Sequence, residues 1–74
     1  MPISNEFKNR INDLVSDVYI DRKIRKSDLP KMIGIDYSSL SNAMEYGIVP
    51  TPRIAMRMAD YFECSIPYLL GLTD

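Results

Sequence analysis

Gly34 is the residue that most restricts what this chain can fold into. It divides the stretch SDLPKMIGIDYSSLSNAMEYG, from Ser27 to Gly47, into two short apolar stripes. Before the glycine, Leu29, Met32 and Ile33 fall on one helical face. After it, Asp36 offers a side-chain oxygen to the free N–H groups of a new helix, whose stripe is Leu40, Ala43 and Met44. Tyr37, Ser38, Ser41, Asn42 and Glu45 lie between those apolar positions and are expected to project outward together. The rest of the chain then has to hold this pair of helices.

Read in order, Met1–Ile3 is expected to be a loose arm, with Ser4 or Asn5 capping a first helix. Phe7, Ile11, Leu14, Val15 and Val18 repeat at helical spacing, which predicts a helix to about Ile20. Asp21–Arg25 is the connection, and Ile24, its one apolar residue, is placed to plug the core. A second helix is expected from Lys26 or Ser27, with Pro30 in its first turn, where a missing N–H costs nothing. The third should span 37–46 and stop at Gly47; Ile48-Val49-Pro50 then turns the chain. Thr51-Pro52 restarts it, and Ile54, Ala55, Met58, Ala59 and Phe62 form the buried face of a fourth helix, leaving Met56 outside. Ser65 caps a last short helix with Ile66, Leu69 and Leu70 inward, while Tyr68 and Leu72 form an exposed apolar edge. The prediction is an all-α, five-helix architecture in one domain, 1–74.

Composition excludes several classes. The 74 residues include no histidine and a single cysteine, Cys64. The common general-base, nucleophile and zinc arrangements are therefore missing, no glycine-rich phosphate loop occurs, and neither an enzyme nor a metal or other cofactor is expected. Cys64 is expected to be a core residue. No basic leader and no long apolar run opens the chain, so a cytoplasmic protein with no membrane contact is expected. The formal net charge is −1, but it is unevenly placed. From Arg22 to Asn42 five bases (Arg22, Lys23, Arg25, Lys26, Lys31) face two acids, a balance of +3 against −4 elsewhere. A basic face on an acidic body suits weak phosphate contact.

From about Ile11 to Leu72 the chain resembles the lambda-repressor-like (Cro-like, XRE-type) helix-turn-helix family. The resemblance lies in Leu29 four residues ahead of Ile33-Gly34-Ile35, Leu40 six after that glycine, the proline-opened fourth helix, and the closing Ser65-Ile66-Pro67-Tyr68-Leu69-Leu70-Gly71. It implies a third helix lying in the DNA major groove and a second whose start touches phosphate. Carried over by position, Tyr37, Ser38 and Asn42 read bases, while Arg25, Lys26, Ser39 and Ser41 hold phosphates. Where many members pair an arginine with a glutamate, this chain has Tyr19 and Met44, which are expected to touch as an apolar replacement. Pro30 replaces the family's small residue, and Gly47 falls one position late.

The expected function is a transcriptional regulator of the phage or bacterial Cro/repressor kind. It would bind a double-stranded DNA operator as a homodimer joined around Tyr68, Leu70 and Leu72. The alternative is a protein-binding modulator, antirepressor or antitoxin-like, which uses the same fold to occupy a repressor or another protein. Its motive is the acidic balance: Asp36 and Glu45 bracket the third helix, and that helix carries no arginine.

Overall fold

The computed structural model describes residues 2–73. Among them the regular structure is α1 (Asn5–Arg22), one 3₁₀ turn (Lys26–Asp28), α2 (Leu29–Ile33), α3 (Tyr37–Tyr46), α4 (Pro52–Phe62) and α5 (Ile66–Leu69). The domain is all-α, with five helices and no strand among the described residues.

Chemistry at the helix ends sets most of these boundaries. Ser4 Oγ accepts from the Phe7 N–H at 3.1 Å and starts α1. The helix runs two residues beyond Ile20 and ends at Lys23, left-handed at φ 60°, whose N–H donates to the Tyr19 carbonyl. The α3 bounds agree with expectation: Asp36 accepts from the Ser39 N–H at 3.3 Å, and Gly47 (φ 72°) closes the helix by donating to Ala43. Thr51 holds the position before α4, yet its side chain makes no capping bond, so Pro52 marks that start. Ser65 Oγ accepts from the Tyr68 N–H at 3.2 Å and caps α5.

Two expectations are corrected by backbone hydrogen bonding. The second helix does not begin as an α-helix at Lys26 or Ser27. Pro30 has no N–H to give the Lys26 carbonyl, which instead accepts from Leu29 and tightens residues 26–28 into a 3₁₀ turn. Nor are Pro2 and Ile3 loose. Ile3 pairs with Ile48 in an isolated antiparallel bridge, flanked by Ser4 N–H to Gly47 O at 2.9 Å and Val49 N–H to Pro2 O at 3.0 Å. Met1 lies outside the described residues.

Every helix sends at least one large side chain into a single core. Phe7 and Ile11 from α1, Leu29 from α2, Leu40 from α3, Met58 from α4 and Leu69 from α5 are all fully buried. Each contributes about 1.5–3 kcal/mol through lost water contact. Ile24 packs against this cluster from its loop, as its isolation in a polar connection predicted. Met32 does not join it: Pro30 is buried instead, so the inward positions of α2 are Leu29, Pro30 and Ile33, leaving Met32 51% exposed. Met56 is exposed as expected, and Cys64 packs half-buried against the core.

Polar anchors complete the packing between helices. The Asn12 amide donates to the Lys8 carbonyl at 2.8 Å and to the Met44 carbonyl at 3.0 Å, tying α1 to the end of α3. Tyr19 lies seven residues further along α1, is half-exposed and has the Lys23 ammonium 5.8 Å from its ring. This arrangement lends no support to a Tyr19–Met44 pairing. At the other side of α1, the Arg10 guanidinium covers the Tyr68 ring at 3.9 Å and donates to the Tyr68 and Thr73 carbonyls.

Candidate functional site

The stretch from Lys26 to Tyr46 presents its outer side chains from a supported frame. Leu40 and Ala43 anchor α3 in the core, and Gly34, left-handed at φ 88°, turns the chain between α2 and α3. With those positions inward, Tyr37 and Ser38 stand exposed, and Ser39, Ser41 and Asn42 are half-buried on α3. Arg25 is exposed and Lys26 half-buried where the chain enters the 3₁₀ turn. The Arg25-Lys26 cations and the hydroxyl-bearing helix are therefore separated by α2, and no cation lies on α3 itself.

The start of α3 carries an unexpected charge arrangement. Besides capping the backbone of α3, the Asp36 carboxylate accepts from Ser38 Oγ at 2.5 Å and Ser39 Oγ at 2.7 Å. These bonds, Ser38 first and Ser39 next, hold the Asp36 carboxyl below its ordinary value, so it stays ionised further into acid than a free aspartate. Ser38 and Ser39 each direct their one hydroxyl proton to Asp36 and present only lone pairs outward. They can accept from an amino group but are poor donors to a phosphate. This arrangement leaves Ser39 without a free hydroxyl proton for a phosphate, and its one signal in the sequence is the Asp-x-Ser-Ser spacing.

Beside α3 lies a groove that the sequence reading passed over as a turn. It has a volume of about 380 Å³; Ser39 and Asn42 line its α3 side, and Ile48, Val49, Pro50 and Ile54 line the other. The available signal was the run of apolar and proline residues after Gly47, which has no helical period and so no inward face of its own. Across the turn, an Arg57 guanidinium nitrogen comes within 3.0 Å of where a Cβ on Gly34 would lie. That arginine of α4 adds a cation next to the α2–α3 turn that the sequence reading did not connect with it.

The expected dimer edge is only partly free. Tyr68 is half-buried beneath Arg10, and Leu70 packs against the core, so of the three residues Leu72 alone is strongly exposed, at 72%. Tyr68 is thus corrected from an exposed apolar residue to the floor of a cation–π contact. Among the described residues no three His, Cys, Asp or Glu side chains converge as metal ligands, and no helix is long and apolar enough to cross a membrane.

No known family model matches the chain, and no similar protein was found among curated proteins or among solved structures. The class that the structure defines is accordingly a small all-α domain of five helices.

Proposed function

We propose that this chain is a sequence-specific, DNA-binding transcriptional regulator that reads the major groove with α3. The observation that carries the reading is the placement of Tyr37, Ser38 and Asn42 away from the core on a helix anchored by Leu40 and Ala43, with the cationic Arg25-Lys26 ahead of the preceding helix. In this reading Asn42 bonds an adenine edge through both halves of its amide, and Ser38 accepts from an adenine or cytosine amino group. Arg25, Lys26 and Ser41 meet the phosphates and fix the register.

The size of the domain leaves room for a pair of copies on one operator. The largest extent of the domain is 29 Å, while half-sites one helical turn apart have centres about 34–36 Å from each other.

The test is selection of bound duplexes from a random pool at about 0.15 M salt, where surface charges are screened as in cells. Enrichment of a two-fold symmetric site, lost on Asn42→Ala, is the expected result. Lys26→Ala should weaken binding across all sequences and lower the salt slope by about 1. Retention that is weak, salt-sensitive and indifferent to sequence refutes the proposal.

One observation favours a second reading, a modulator that binds another protein. The ionised Asp36 at the head of α3, with Glu45 exposed near its end, repels phosphate where a DNA reader needs attraction. Under that reading Asn42→Ala and Lys26→Ala leave capture of the partner intact.

A further inference from the structure

The bridge that ties the start of the chain to the loop after α3 leaves one edge open. Its two bonds are made by the neighbours of Ile3 and Ile48, from Ser4 N–H to Gly47 O and from Val49 N–H to Pro2 O. In antiparallel pairing of this kind the N–H and carbonyl of each bridging residue turn away from the other strand. Ile48 spends its N–H on the Asn42 carbonyl, whereas neither group of Ile3 meets a backbone partner among the described residues. The Ile3 side chain is 68% exposed as well. Open edges in proteins are commonly guarded by a charged side chain, and this one carries isoleucine.

We propose that this edge joins two copies of the chain, each Ile3 donating its N–H to the Ile3 carbonyl of the other across a two-fold axis. A donor and an acceptor on the same residue are complementary to themselves in antiparallel pairing, which is what a two-fold interface requires. The edge is too short to reward a long foreign strand. Pro2 has no N–H, the Ser4 N–H and carbonyl are engaged with Gly47 and Lys8, and Asn5 already begins α1. The matching edge of a second copy needs nothing more. Charge does not oppose the approach, because Glu6 and Lys8, the ionised residues that follow in α1, have opposite signs. The pairing does not depend on whether α3 reads DNA.

The test uses the full chain without DNA. Sedimentation equilibrium from about 10 µM to about 1 mM, the range suited to so small an interface, should show monomer and dimer in exchange. In a mixture of isotope-labelled and unlabelled chains, nuclear Overhauser contacts between copies should centre on Ile3. Ile3→Pro removes the donor from each copy but keeps the Pro2 carbonyl and Ser4 N–H that hold the bridge, and should weaken dimerisation about ten- to thirty-fold. Ile3→Lys, which sets like charges across the axis, should also weaken it while leaving the thermal midpoint of the dilute monomer in place. Leu72→Asp should leave dimerisation unchanged. A chain that stays monomeric throughout, a dimer that Ile3→Pro leaves intact, or contacts between copies that lie away from Ile3 would overturn the proposal.

Discussion

Replacing Gly47 by alanine tests whether the end of α3 and the start of α1 are as closely joined as the structure shows. Gly47 is buried at φ 72°, and a Cβ there would lie 2.5 Å from the Ser4 carbonyl oxygen and 3.1 Å from Lys8 Cβ. Ser4 O already accepts the first bond of α1 from the Lys8 N–H, so it cannot withdraw without fraying that helix. Two costs therefore combine. A left-handed alanine costs about 1–2 kcal/mol, and forcing backbone apart in a packed region adds about 1–3 kcal/mol. At about 4–8 °C per kcal/mol for a domain of this length, a 3 kcal/mol loss lowers the thermal midpoint by about 12–24 °C.

Gly34→Ala is the matched control. That residue is also left-handed, at φ 88°, but a Cβ would meet only the Arg57 Nη1 atom at 3.0 Å, the far end of a flexible side chain. Only the backbone cost of about 1–2 kcal/mol remains, so its midpoint falls by about 4–16 °C. Thermal unfolding of both variants by circular dichroism decides the matter. Equal losses would refute the claim that the α1–α3 junction, rather than left-handedness alone, makes Gly47 the more demanding position.

The acid-side stability of α3 should depend on Asp36. Its folded pKa is lowered, so the stabilisation is fully present above the unfolded carboxylate value and is lost as pH falls through the lower folded one. In urea titrations, Asp36→Ala should therefore be weaker than the parent at pH 7, with the difference narrowing below about pH 4. Arg10→Lys removes the planar cation from the Tyr68 ring and one of its carbonyl bonds, and should cost about 1 kcal/mol with faster amide exchange confined first to α5. Burial raises the Cys64 thiol above its ordinary value, against a smaller lowering by Arg10, so alkylation at pH 8 should run slower than that of free cysteine.

Where local chemistry decides an element, the sequence disclosed it. Asp36 and Gly47 bracket α3 so explicitly that both of its ends were legible, and the apolar spacing of α1 and α4 identified Phe7, Ile11, Ala55, Met58 and Ala59 as core. Where a partner distant in the chain decides, it did not. Ile3 meets Ile48, Asn12 meets Met44, and Arg10 meets Tyr68 across 58 positions; no periodicity encodes any of these contacts. The α2 start fell between these cases. Pro30 signalled an early helical position, but only the backbone bonding shows that the preceding turn is 3₁₀ and that the proline itself takes the core place expected of Met32. At the candidate site the residue types were legible, whereas the direction of their hydroxyl protons was not, because that depends on the Asp36 carboxylate lying within bonding distance of both serines.

That direction bears on how a domain with formal charge −1 would engage a polyanion. A carboxylate at the head of α3 favours the helix itself, since it meets the positive end of the helix dipole and two hydroxyl donors. The same charge opposes phosphate near Ser39, so attraction has to come from cations outside α3, among them Arg25 and Lys26 ahead of α2, Lys31 on it and Arg57 beside the turn. Removing the charge therefore separates the two proposed readings. Asp36→Asn keeps an oxygen that can cap Ser39 while abolishing the repulsion. If α3 reads DNA, this variant should bind its duplex more tightly, with the gain shrinking as salt rises. If Asp36 instead faces a protein partner, the variant should weaken capture of that partner and leave DNA retention non-specific.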